Sequence, residues 1–135
     1  MTKEDKELLI KDLCARLPYE VKVHAKYIDT ITDVEVEKVG VLSMVDNDTI
    51  IAFTCDDTNC YNYVTIHEVK PYLFPMLSMT EEQSKTYHEL VSNMFGTSTL
   101  INFEVLTDFF HKNYLDYRGL ITMGLAIDAT GLNIY

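Results

Sequence analysis

The 135-residue chain is 47% hydrophobic and 24% charged, the balance of an ordinary globular domain that buries roughly two-thirds of the surface its unfolded form exposes. Eleven basic against 21 acidic residues give a net charge of −10, which opposes contact with a phosphate backbone and excludes the usual basic footprint of direct nucleic-acid binding. No apolar run approaches the roughly 20 residues that span a bilayer, and the charged start Met1-Thr2-Lys3-Glu4-Asp5-Lys6-Glu7 has no signal-peptide core, so a cytoplasmic protein without membrane contact is expected.

Thr2 and Asp5 form a capping arrangement ahead of Leu8, Leu9, Leu13 and Leu17, which recur at helical spacing until Pro18; together they predict a helix over 3–16. The period then changes to two, with Val21, Val23, Ala25 and Tyr27 alternating with Lys22, His24 and Lys26. Val34 and Val36 alternate with Glu35 and Glu37, but Val39 and Val41 fall out of phase, which predicts a bulge or corner beside Gly40. Asp46-Asn47-Asp48 predicts a hairpin turn between strands at 41–45 and 49–54. A two- or four-residue loop there puts Leu42, Met44, Ile51 and Phe53 on one face and Val41, Val45, Ile50 and Ala52 on the other, both of them covered. Asp56-Asp57-Thr58-Asn59 signals a second turn, returning into the strand Tyr61-Asn62-Tyr63-Val64-Thr65-Ile66.

Pro71 and Pro75 bracket Tyr72-Leu73-Phe74, predicting an extended or turn-like connector. Thr80 and Gln83 read as a capping box opening a helix through Tyr87, Leu90, Val91 and Met94 to Gly96. Phe103, Leu106, Phe109, Phe110 and Tyr114 continue the helical period, and Leu120 to Ile127 is expected to form a last turn or helix. This order indicates an α+β fold: an N-terminal helix, four to five antiparallel strands as a sheet or an SH3-like partial barrel, then two to three C-terminal helices. Residues 1–135 are expected to form a single domain with one shared core, strand-rich over 19–70 with a helical part, 76–135, packed on it.

Cys14, Cys55 and Cys60 are an odd count and read as reduced thiols. Cys55 and Cys60 with His67 are the only cluster resembling metal ligands, yet the spacing singles out no fourth ligand for a closed zinc site, so neither metal nor cofactor is expected. Asp56, Asp57 and Asn59 lack the ligand spacing of a calcium loop, and His24, His67, His88 and His111 fall on different elements. The nucleophile elbow and the phosphate-cradling glycine loop are both missing. A small metal-assisted or hydrolytic enzyme around Cys55, Cys60 and His67 therefore ranks below a non-enzymatic module.

In Asp116-Tyr117-Arg118-Gly119, Arg118 is expected to brace the C-terminal helices by pairing with Asp116 or Asp108 and with helix-end carbonyls, Gly119 supplying a left-handed turn. The competing reading makes Asp116, Tyr117 and Arg118 a binding site for an anionic ligand or partner. Most of the nine tyrosines and six phenylalanines are core material, while Tyr61, Tyr63 and Tyr72 form a candidate exposed binding strip. Residues 29–57 hold Asp29, Asp33, Glu35, Glu37, Asp46, Asp48, Asp56 and Asp57 against Lys38 alone, a negative field that a nucleic-acid mimic would also present, although only Glu35 and Glu37 clearly alternate outward.

The segments Lys11-Asp12-Leu13-Cys14-Ala15-Arg16-Leu17-Pro18-Tyr19, Val69-Lys70-Pro71-Tyr72-Leu73 with Ser78-Met79-Thr80-Glu81-Glu82, and Asp116-Tyr117-Arg118-Gly119-Leu120-Ile121 resemble blocks shared by small uncharacterised proteins of gut Bacteroidetes and their phages. The resemblance spans nearly the whole chain and implies a bacterial, prophage or mobile-element context without an activity, cofactor or catalytic residue. This chain departs from those proteins in a longer acidic region and in Glu20, where they carry glycine. The leading expectation is an interaction or accessory module with a protein partner.

Overall fold

The computed structural model describes residues 1–46, 50–55, 58–93 and 99–135. It is an α+β fold whose elements run α1 (Lys3–Arg16), β1 (Lys22–Ile28), β2 (Glu35–Val45), β3 (Ile50–Cys55), β4 (Thr58–Thr65), β5 (Val69–Leu73), α2 (Glu81–Asn93), α3 (Thr99–Lys112) and β6 (Ile127–Asp128). The six strands form one open sheet in the order β4-β3-β2-β1-β5-β6, antiparallel except for the parallel pair β5 and β6. One more strand is present than the four to five expected, with β4 and β6 at the two ends of the strand order.

Two helix starts follow the sequence closely. The Thr2 hydroxyl accepts from the Asp5 N–H at 3.1 Å while Asp5 accepts from the Thr2 N–H at 3.2 Å, and Thr80 and Gln83 repeat the exchange ahead of α2 at 3.1 and 3.0 Å. The turn signals at 47–48 and 56–57, and Met94 and Gly96 at the expected end of α2, lie outside the described residues.

The strand predictions need three corrections. β1 pairs with β2 without a break from Lys22↔Val41 to Ile28↔Glu35, so nothing bulges beside Gly40. Instead the outward side chains of β2 change from Glu35 and Glu37 to Val39 and Val41, and Lys38 points to the other face, where its Nζ donates to Asn62 Oδ1 at 3.1 Å. Gly40 is needed for another reason: a Cβ there would lie 2.5 Å from the Thr54 carbonyl oxygen and 2.7 Å from the Phe53 ring, so its bare backbone lets Phe53 enter the core. The real bulge falls between Leu42 and Met44. It keeps Leu42 with Phe53 on the inner face but brings Val45 inward opposite Ile51 and turns Met44 outward opposite Ala52, overturning the face assignments expected for both Met44 and Val45.

The Pro71 segment is a strand, not a connector. β6 pairs only with Tyr72 and Leu73, so the side of Pro71 away from β1 has no ladder and its missing N–H costs nothing there. Residues 120–126 form turns and a bend ahead of β6, the turn alternative expected for this segment.

The buried apolar residues gather in two clusters. In the larger, Leu9 and Leu13 of α1 pack with Val21, Val23, Leu42, Ile51, Phe53, Val64, Val69 and Leu73 of the sheet's inner face, closed by Leu120 and Leu125. The smaller gathers Leu106, Phe110 and Leu115 with Phe74, Met76, Tyr87 and Leu90 around the α2–α3 pair.

Candidate functional site

Along α1, Leu9, Asp12, Leu13 and Arg16 are all fully buried, the i, i+3, i+4, i+7 stripe of a helix packed on two sides. Asp12 Oδ2 accepts from Arg16 Nε at 2.8 Å, and its other oxygen accepts from Arg118 Nε at 3.1 Å. Arg16 Nη2 donates to the Leu115 carbonyl at 2.7 Å, so one carboxylate and two guanidiniums sit at the seam between the two apolar clusters. Tyr117 completes the knot. Its ring stacks on Phe110 with centroids 4.7 Å apart, lies 4.8 Å beneath the Arg118 guanidinium, and its hydroxyl is 2.8 Å from His111 Nε2. Two tyrosine bonds reinforce the seam: Tyr19 donates to Asp108 at 2.7 Å and Tyr114 donates to the Tyr19 carbonyl at 2.7 Å.

Arg118 is thus a brace, with its side chain 18% exposed, but its partner is Asp12 and not Asp116 or Asp108. Asp116 is consumed locally, accepting from the Leu120 and Ile121 N–H groups at 2.8 and 2.9 Å, while Gly119 takes the expected left-handed φ of +77° between them. Asp116 is therefore buried and Tyr117 and Arg118 half-buried, with the Asp116 carboxylate, the Tyr117 hydroxyl and Arg118 Nε each engaged within the fold. Sequence reasoning missed Asp12 and Arg16, although the signal was present: both occupy apolar-stripe positions of α1, four residues apart.

The second candidate is the outer face of the sheet. Strand pairing places Val39, Val41 and Met44 of β2, Ile50, Ala52 and Thr54 of β3, and Tyr61 and Tyr63 of β4 on this one face. α1 and the larger cluster lie on the opposite face. Val39, Met44 and Ile50 remain 40–43% exposed, and Tyr61 and Tyr63 61% and 63%. The phase change at Val39 marked this patch: the apolar residues that seemed out of step are those facing outward. Tyr72 has the same outward parity but is separated from β4 by three strands, buried edge-on against His24 with centroids 6.4 Å apart, so it does not join the Tyr61–Tyr63 strip.

Toward β1 the same face becomes charged. Lys26 Nζ lies 3.4 Å from Glu35 and 3.5 Å from Glu37, so the two regularly alternating carboxylates share a cation. His24, Lys26, His67, Glu68, Lys70 and Ile127 line a groove of about 300 Å³ over β1 and β5.

Cys55, Cys60 and His67 do not converge. The cysteines sit toward one end of the β3–β4 hairpin, Cys60 exposed and Cys55 half-buried, while His67 follows the far end of β4; five strand residues, about 17 Å, separate Cys60 from Thr65. No group of three His, Cys, Asp or Glu side chains able to hold a metal occurs among the described residues. No helix among them is long and apolar enough to cross a membrane.

No family model, curated protein or solved structure matches the chain.

Two expectations follow from the knot. Asp12→Ala, which strands two guanidiniums, is expected to cost about 3–5 kcal/mol in urea unfolding, whereas Arg118→Ala leaves the Asp12–Arg16 pair intact and costs about 1–3 kcal/mol. Equal losses would place Arg118, not Asp12, at the centre. Burial first, then the Arg16 guanidinium, holds the His111 imidazole below its ordinary value, so the unfolded chain takes up that proton before the folded one does. Its contribution is intact above about pH 6.5 and lost as the pH falls through that value toward the lower folded one. Melting curves between about pH 7.5 and pH 5 should therefore show a decline that His111→Gln reduces.

Proposed function

We propose that this chain is a non-enzymatic protein-interaction module that docks a protein partner on the outer face of its sheet. The observation that carries this reading is the patch of Val39, Met44, Ile50, Tyr61 and Tyr63, 40–63% exposed on one face, away from the buried cluster. The patch has the anatomy of an interface: an uncharged, tyrosine-bearing centre with charged groups, Lys26, Glu35 and Glu37, at one side. Antiparallel sheets normally leave one face to water, but that face is then polar; here the residues turned to water are the kind that a partner covers.

The nucleic-acid-mimic reading is supported less well. Its two clearest carboxylates, Glu35 and Glu37, share Lys26, which weakens the phosphate-like field they would project. The enzyme reading has no convergent set of Cys55, Cys60 and His67 to stand on.

Val39→Lys puts a charge on the patch, at its end next to Glu37, without touching the inner core. A partner recovered by the wild-type protein from its native host is expected to be lost with Val39→Lys and kept with Lys85→Glu on α2, both variants melting like wild type. Because the contact is mainly apolar, affinity should change less than about tenfold between low and physiological salt. Binding insensitive to Val39→Lys but collapsing with salt would move the site to the acidic region.

A further inference from the structure

The sheet has two edges of very different character. β6 is two residues long, Ile127–Asp128, and ends in a turn, which leaves little to pair with. β4 is eight residues, Thr58–Thr65, pairs regularly with β3 from Ile50↔Thr65 to Thr54↔Tyr61, and presents its other side to no described strand. It contains no Asp, Glu, Lys, Arg or Pro, the residues with which proteins usually blunt such an edge, although the chain as a whole carries 32 acidic and basic side chains. The pairing with β3 shifts register at residues 59–60, and outward backbone N–H and C=O groups along the uncharged, regularly paired stretch Tyr61–Thr65 are a template for one more strand.

From this we propose that β4 pairs antiparallel with β4 of a second copy, joining two six-stranded sheets into one. The sequence of the strand is what selects a second copy as occupant. An antiparallel pair related by a two-fold axis normal to the sheet keeps the same face of both copies on the same side, so residues opposite each other must have the same parity. An axis at Asn62 meets this condition and sets Tyr61 opposite Tyr63 of the second copy and Tyr63 opposite its Tyr61. Tyrosine meets tyrosine on the outer face, and uncharged Asn62 meets its own image on the inner one. Elsewhere on a molecule of net charge −10, two copies brought together repel; along β4 no charge meets its own image.

The consequence deepens the proposed function and rests on it for its purpose. Four tyrosines, two from each copy, would lie side by side across the junction, and the two exposed patches would form one continuous docking surface, presented twice to a partner. The joint adds main-chain bonds and tyrosine contacts over a narrow area, so a concentration-dependent dimer is expected, not an obligate one.

Sedimentation velocity under reducing conditions tests this with three proteins. Wild type at about 100 μM should sediment mainly as a dimer, as a Kd near 10 μM requires. Cys60→Lys, an exposed position on the edge strand next to Tyr61, should be monomeric with an unchanged melting curve, while Val39→Lys should remain dimeric. A monomeric wild type, or a Cys60→Lys dimer, would overturn the pairing. A dimer lost with Val39→Lys but kept with Cys60→Lys would mean that copies meet face to face, which also overturns it. Partner binding lost with Val39→Lys and retained by monomeric Cys60→Lys would uphold the docking face independently of the dimer.

Discussion

The Asp12 carboxylate, fully buried and shared between Arg16 and Arg118, is the interaction on which the rest of this structure depends. Its two oxygens reach one arginine four residues on in α1 and another 106 residues away beyond α3, so a single side chain joins the first element to the last third of the chain. Burying three charges is expensive unless each is paired and hydrogen-bonded. Here that cost is offset by the short Asp12–Arg16 bond, the Leu115 carbonyl and the Tyr117 ring, whose centroid lies 5.7 Å from the Arg16 guanidinium and 4.8 Å from that of Arg118. Asp12 engages both arginines at once, one through each oxygen, while Arg16 Nη1 stays buried without a hydrogen-bond partner among the described residues.

That constraint shapes what remains available for binding. α1 is used on two sides, its leucines against the inner face of the sheet and its ionic pair against the α2–α3 cluster. The Leu120 and Leu125 segment closes the inner face further, and the Tyr135 hydroxyl, accepting from the Lys22 N–H at 2.9 Å and donating to the Tyr72 carbonyl at 2.8 Å, ties the last residue to β1 and β5. These elements converge on the inner face and on the β5 side. The outer surface of β2, β3 and β4 keeps its exposed Val39, Met44, Ile50, Tyr61 and Tyr63, and β4 keeps its edge.

Local signals were legible in the sequence because they rest on short-range chemistry. Thr2 with Asp5 and Thr80 with Gln83 mark their helices through reciprocal bonds three residues apart, and the α+β order follows from the change of period at Val21. Features set by distant partners were not. Arg118 was recognisable as a brace from its apolar setting, but nothing near it pointed to Asp12, because Asp116, the nearest carboxylate, serves the Leu120 and Ile121 amides instead. The break in alternation at Val39 was visible, yet periodicity alone does not separate a bulge from an exposed apolar face; the unbroken β1–β2 register does. Pro71 read as a strand breaker because sequence does not disclose that β6 is too short to reach it.

The central claim is that the Asp12 knot makes the sheet cluster and the α2–α3 cluster one cooperative unit. Native-state hydrogen exchange measures this directly at two amides, that of Leu120, held by Asp116 at 2.8 Å beside the knot, and that of Val23, in β1 between β2 and β5. The account expects both to open with the same free energy, that of global unfolding. Exchange at Leu120 through a separate opening, several kcal/mol easier than that of Val23, would contradict it.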